Sequence, residues 1–195
     1  ISLSASDNVC ADGYAVAGSW LKAGAQKRAW AMVQCASGGH SRFSDHDLSV
    51  YEDYFRQYPN FLGWNFAEQF WGFGEDGTPS FLERLSLFGD ILKICHRYGG
   101  YLVVSFTQAY WSADMLPIAY MKRNPEVNHL LTEHPEHLIC CEKYTMQHGF
   151  YEIESNCLGA FLGGYAGNYG IRFDDCGWSP DDGNPATEND GRSEE

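Results

Sequence analysis

Two acidic centres in aromatic surroundings are the residues of this chain best suited to chemistry. Glu68 lies in the apolar stretch 61–74, and Asp174 and Asp175 directly follow a second apolar run at 169–173. Four aromatic rings flank Glu68 within four positions, namely Trp64, Phe66, Phe70 and Trp71. Burial among rings disfavours a charged carboxylate and raises its pKa, which would keep Glu68 protonated as a general acid. The alternative is a structural acid that caps the next helix or pairs with an arginine.

A pair of carboxyl groups, one protonated and one ionised, is what glycoside hydrolysis requires. Aromatic side chains fit the same chemistry, because the apolar faces of sugar rings stack on them while the hydroxyls need amide and acid partners. We predict stacking platforms at Trp64, Trp71, Tyr110, Trp111 and Trp178, and hydroxyl partners at Asn65 and Gln108. Taken singly, any one of these rings belongs more often to a packed core than to a binding site.

Strands and helices must alternate to bring these residues together. Short apolar runs predict strands at 28–35, 61–66, 101–106, 137–144 and 169–173. Helical periodicity predicts helices over 48–58 and 81–98, and a glycine-studded segment at 155–167 also suits a helix. Glu68, Gln108 and the Asp174–Asp175 pair each follow the end of a predicted strand.

The alternation predicts a parallel α/β sheet, for which an open doubly wound sheet and a (β/α)8 barrel are both suitable. No G-x-G-x-x-G or P-loop motif follows any strand, so no nucleotide site is indicated. Barrel enzymes build their sites just past the strand ends, where the polar residues cluster here. We therefore predict a TIM-like barrel, of which this chain holds about five βα units before a truncation. Residues 1–26 receive no assignment, and 112–136 are predicted as a loop with a helix around 117–123.

Charge and composition exclude several functions. The net charge of −13 argues against nucleic acid or an anionic membrane surface as a partner. No run of 18 apolar residues predicts a membrane span, and the N-terminus does not resemble a signal peptide. We predict one partial catalytic domain over 1–178, followed by an acidic tail or incomplete loop at 179–195; the oligomeric state stays undetermined.

Metal and cofactor sites are not predicted. The seven cysteines form no C-x-x-C pair, and most are expected to be buried. His134 and His137 resemble a ligand cluster, but Pro135 between them prevents helical i, i+4 presentation. On the predicted helix at 81–98, Cys95 should face the core and His96 the solvent.

Three runs carry a resemblance to a known family. Residues 61–72 (FLGWNFAEQFWG), 101–111 (YLVVSFTQAYW) and 169–178 (YGIRFDDCGW) resemble the catalytic domain of glycoside hydrolase family 98, and the likeness covers most of 28–178. The resemblance implies a secreted bacterial endo-β-galactosidase that cuts blood-group or Lewis-type glycans of host glycoconjugates. It further implies a (β/α)8 barrel that acts with inversion of configuration and without a cofactor.

The resemblance also implies roles. Glu68 corresponds to the general acid, and Asp174 or Asp175 to the aspartate that activates water; Asp174, first after the strand, is slightly favoured. A second water-activating glutamate is expected beyond residue 195. The alternatives are a barrel fragment that binds glycans without cutting them, and an unrelated barrel enzyme, which would need a phosphate loop or catalytic lysine that we do not find.

Overall fold

The computed structural model describes residues 2–4, 13–37, 47–69, 81–107, 121–122, 124–144 and 153–173. Six β-strands and five α-helices alternate along these residues. The strands are β1 (Ser2–Ser4), β2 (Ala31–Ser37), β3 (Phe61–Gln69), β4 (Tyr101–Thr107), β5 (Leu138–Tyr144) and β6 (Asn168–Phe173). The helices are α1 (Gly13–Gln26), α2 (Leu48–Gln57), α3 (Phe81–Tyr98), α4 (Pro125–Glu133) and α5 (Ile153–Leu162), and a short 3-10 helix spans Pro135–His137.

The six strands form one sheet in which spatial order equals chain order, and all five neighbouring pairs are parallel. A doubly wound sheet reverses its strand order at a switch point, and this sheet has none. Right-handed crossovers between successive parallel neighbours place all their helices on the same face. The predicted α/β class is therefore confirmed. In the described residues the sheet is singly wound, which means that every crossover leads to the next strand in the same direction along the sheet.

The hydrophobic core lies between that helical layer and one face of the sheet. Trp64, Leu102 and Leu138 occupy one register row of this face, and each is fully buried. They belong to a single cluster that also takes side chains from all five helices. Val103, which is 8% exposed, alternates to the opposite face and lies outside the cluster.

All five predicted strands are confirmed, and β1 is an addition to them. β1 has three residues, too few for a periodic pattern. Residues 112–136 were predicted as a loop with one helix around 117–123, but they also contain α4. The sequence does carry a capping pattern for this helix. Asn124 caps it by accepting from the backbone N–H groups of Glu126 and Val127, and Pro125 occupies its first turn. The helix predicted around 117–123 lies mainly outside the described residues.

The predicted helix limits at α2 and α3 have clear chemical causes. Asp47 caps α2 by accepting from the Ser49 N–H at 3.0 Å. α3 ends at Gly99, whose φ of 70° is left-handed, and the Gly100 N–H returns to the Cys95 carbonyl at 2.8 Å. This arrangement is a Schellman motif, and it delivers the chain directly into β4. In the parts of the chain that the structure describes, no helix combines the length and apolarity needed to cross a membrane.

Gly63 allows β3 and β4 to approach closely. Its φ is +140°, and an added Cβ would lie 1.9 Å from the Tyr101 carbonyl oxygen. Gly159 in α5 has open space around the same position.

We expect Gly63→Ala to lower the free energy of unfolding by at least about 2 kcal/mol, because backbone strain and a backbone clash combine. Gly159→Ala is the matched control and should be neutral or stabilising by up to about 1 kcal/mol. Urea denaturation of both variants measures the difference. Equal stabilities would contradict the close approach at Gly63.

Candidate functional site

Glu68 and the residue before Asp174 lie at the same edge of the sheet. Glu68 is the penultimate residue of β3. Phe173 is the last residue of β6 and directly precedes Asp174 in the sequence. Because all six strands are parallel, their C-terminal ends lie along the same edge. Barrel enzymes carry their sites at the corresponding edge, and Asp174 and Asp175 themselves lie outside the described residues.

The described sheet has three register shifts, one between Ala31 and Met32 at the N-terminal end of β2 and two towards this C-terminal edge. Of the latter two, one lies between Gln34 and Ala36 on β2, and the other between Phe66 and Gln69 on β3. In the shift on β3, Phe66 pairs with Val104 of β4 and Gln69 pairs with Phe106. β3 therefore has one more residue than β4 between these two pairs, as in a β-bulge. Such irregularities concentrate beside active sites, where they re-aim side chains. Simple alternation counted from Phe66 therefore does not extend to Glu68.

Trp64 is a core residue, and its prediction as a sugar-stacking platform is wrong. Its side chain is fully buried, with ring centroids 5.0 Å from Tyr51 and 4.9 Å from Tyr54 and Phe61. The indole Nε1–H donates to the Tyr51 carbonyl at 3.2 Å. The residue faces α2, since alternation along β3 gives it the helix-covered face. No ring face is left for a ligand.

Asn65 lies on the other face of the same strand. Its register partners are Gln34 on β2 and Val103 on β4, and it is 9% exposed. Gln34 is half-buried, so this row is more polar than the fully buried row that contains Trp64. The position is consistent with a polar contact inside a barrel, and the prediction for Asn65 stands as a prediction.

The remaining predicted site residues lie outside the described residues, and so do the side-chain positions of 67–69. They are Trp71, Gln108, Tyr110, Trp111, Asp174, Asp175 and Trp178. Their roles therefore stay predictions.

A cysteine–histidine nucleophilic pair on α3 is excluded by burial. Cys95 is fully buried, as predicted, and His96 is exposed. Burial raises the pKa of the Cys95 thiol far above its usual range, so the thiolate needed for attack does not form. Burial, together with the neighbouring Cys141, raises the pKa of Cys140 to about 12. Both thiols serve as small apolar core groups.

Glu52 on α2 is unsuited to proton donation. It accepts a hydrogen bond from the Tyr98 hydroxyl at 2.9 Å and contacts Arg97 at 2.6 Å. These bonds, and the charge of Arg56, hold the pKa of this carboxyl below its usual value. Glu52 stays ionised at neutral pH and joins α2 to α3.

One group among the described residues has the donor atoms for a metal ion. It comprises His96, His134 and Glu136, with one ligand atom from each within 4.8 Å of the others. The sequence argument missed it because His96 comes from a helix some 40 positions away from the local histidine pair. The group lies at the strand N-termini, away from the edge that carries Glu68.

A singly wound parallel sheet, with helices on one face and acidic positions at its C-terminal edge, defines an α/β protein of the kind that supports enzyme sites at that edge. The profile of glycosyl hydrolase family 98 matches residues 1–191. The chain belongs to this family of glycoside hydrolases, as the resemblance of its motifs implied. No curated protein matches the chain.

Solved structures agree with the family assignment. The catalytic module of a family 98 glycoside hydrolase from Streptococcus pneumoniae matches in its native form and with the H-disaccharide blood group antigen, in each case at 14% identity and a TM-score of 0.59. Its complex with the LewisY pentasaccharide antigen matches at 13% identity and the same TM-score. Each match covers 78% of this chain and 25% of the solved chain, so this chain spans about a quarter of their length. At this identity the likeness shows the fold.

The core assignment of Trp64 leads to a stability prediction. We expect Trp64→Phe to lower the free energy of unfolding by about 1–3 kcal/mol, because the Tyr51 carbonyl loses its donor and a void opens. Trp30, which is 55% exposed, provides the matched control. Trp30→Phe should change stability by less than about 0.5 kcal/mol. Chemical denaturation measures both, and an unchanged stability for Trp64→Phe would contradict the core assignment.

Proposed function

We propose that the protein is an inverting endo-β-galactosidase that cuts blood-group or Lewis-type glycans. The observation that carries this proposal is the placement of Glu68 and of the position before Asp174 at the C-terminal edge of one parallel sheet in a family 98 chain. The blood-group antigens bound by the Streptococcus pneumoniae structures support the substrate class.

The strand order sets the separation of the two acidic centres. β4 and β5 lie between β3 and β6, so three strand spacings separate the two ends. At about 4.8 Å per spacing, the backbone positions lie roughly 14 Å apart along the sheet. In a closed barrel, the curvature of the wall and the reach of carboxyl side chains directed inward would shorten this distance. Inverting glycosidases hold their two carboxyl groups about 6.5–9.5 Å apart, which leaves room for the attacking water.

We assign the roles from the resemblance of the motifs to those of the family. Glu68 donates its proton to the departing glycosidic oxygen, and its aromatic neighbours in sequence favour the protonated carboxyl. Asp174 or Asp175 accepts a proton from water on the opposite face of the sugar. A second glutamate, which the resemblance to the family implies, assists that water. Asn65, Gln108, Trp71, Tyr110, Trp111 and Trp178 contact the glycan.

The sheet is proposed to be part of a closed (β/α)8 barrel. Sequential parallel order and helices on one face are the properties of a barrel wall. The half-buried polar row with Gln34 and Asn65 would then face the barrel interior. A host-glycan substrate further suggests a secreted or cell-surface bacterial protein.

Glu68→Gln tests the proposed general acid. We expect kcat on a blood-group oligosaccharide to fall by about 10²–10⁴-fold, since the amide cannot protonate the leaving oxygen. The matched control is Glu133→Gln, because Glu133 is exposed at the end of α4, on the N-terminal side of the sheet. This control should retain full turnover in the same assay.

Asp174→Asn and Asp175→Asn, assayed in parallel, identify the base as the variant that loses turnover. Normal turnover of Glu68→Gln would refute the assignment of the acid. If the unmodified protein binds the glycan but releases no product, the enzyme proposal is wrong and the protein is a glycan-binding protein.

A further inference from the structure

We propose that His96, His134 and Glu136 form a binding site for one divalent transition-metal ion of the zinc class on the N-terminal side of the sheet. This site is separate from the proposed glycosidase site. His96 precedes the start of β4 by five positions, and His134 and Glu136 directly precede β5. With about 3.3 Å per strand residue, the length of the sheet puts roughly 20 Å between the two edges.

The three side chains lie close together. The rings of His96 and His134 are stacked with their centroids 3.6 Å apart. The ring of His137 makes a T-shaped contact with His96, with the centroids 5.2 Å apart. The candidate ligand atoms of His96, His134 and Glu136 lie within 4.8 Å of one another. His96 is exposed, so its ring can turn to direct a nitrogen at a shared ion.

The surrounding backbone holds these residues in place. The Schellman motif at Gly99 and Gly100 ends α3 just after His96. His134 is the C-cap of α4, and its N–H bonds to the Leu130 carbonyl at 2.9 Å. The 3-10 turn that carries Glu136 closes through the His137 N–H, which bonds to the His134 carbonyl at 3.2 Å. A site on fixed helix ends loses little entropy when it binds an ion.

His137 borders the group and helps to fix its shape. Its Nδ1 lies 2.7 Å from the Gly100 carbonyl oxygen, and because a carbonyl can only accept, Nδ1–H is the donor. Its Nε2 lies 3.4 Å from the Glu136 carboxylate. These two contacts connect the start of β4 to the turn that carries Glu136.

The types of ligand atom indicate which metal ion would bind. Two imidazole nitrogens and one carboxylate suit Zn²⁺ and its neighbours among the first-row metals, with water in the remaining position. Mg²⁺ and Ca²⁺ prefer oxygen ligands alone. A bound ion would join the end of α3 to the corner between α4 and β5. A metal ion that connects these elements at the N-terminal face of the sheet would stabilise the fold.

Calorimetric titration of the 195-residue chain with Zn²⁺ above about pH 7, where histidine is mostly neutral, tests the proposal. We expect one equivalent to bind and, at a hundredfold excess over Kd, to raise Tm by at least about 4 °C. His96→Gln and Glu136→Gln should each weaken binding by at least about tenfold. Both positions are exposed, so these variants keep the fold.

The matched control is His129→Gln. His129 on α4 also lies beside a carboxylate, 3.2 Å from Glu133, but both side chains are more than half exposed and belong to no cluster. This variant should bind Zn²⁺ as the unmodified chain does. Co²⁺ as a spectroscopic probe should show no thiolate charge-transfer band, which separates the site from cysteine ligation.

Three results would overturn the proposal: no saturable Zn²⁺ binding, unchanged affinity in both His96→Gln and Glu136→Gln, or a thiolate band with Co²⁺. Glycan cleavage is not part of this test. The metal site and the proposed enzyme function can therefore fail independently.

Discussion

Parallel pairing in chain order is the constraint on which the rest of this structure depends. It sends every strand in the same direction, so residues far apart in sequence reach the same edge at the end of their strands. Glu68 and Phe173, the residue before Asp174, are more than 100 positions apart and lie at the same edge for this reason. The same pairing puts the histidine group at the opposite edge, because the helix ends that carry it precede the strands.

The two faces of the sheet differ in polarity. The helix-covered face takes the largest apolar side chains, and the aromatic contacts of Trp64 with Tyr51 and Tyr54 fix α2 against β3. The opposite face holds Gln34, Asn65 and Val103 in one register row. Packing against the helices therefore gives β3 a fixed position between its two irregularities. One lies between Phe61 and Gly63 near its start, and the other lies between Phe66 and Gln69 near its end.

Much of the fold could be predicted from the sequence, because five strands are apolar runs long enough to recognise and α2 and α3 are strongly periodic. β1 could not, since three residues hold no pattern. Glu68 was predicted to follow a strand that ends at 66, whereas β3 continues to Gln69, so Glu68 lies one residue inside the strand end. The family was recognised from the motifs and is confirmed. The role of Trp64 was not predicted correctly, because an aromatic beside a candidate acid looks the same in sequence whether it faces a ligand or a helix. The histidine group was also missed, because it depends on His96 from a separate helix. Only tertiary packing brings that residue to His134.

The crystal structure of Glu68→Gln with a blood-group oligosaccharide bound tests the central claim most directly. The account predicts that the glycan lies across the C-terminal edge of the sheet, with its glycosidic oxygen within hydrogen-bond distance of the side chain at position 68. Asp174 or Asp175 should lie on the opposite face of the sugar, with about 6.5–9.5 Å between the two carboxyl-derived groups. A glycan bound at the N-terminal edge or on the helical layer, with position 68 out of contact, would contradict the account.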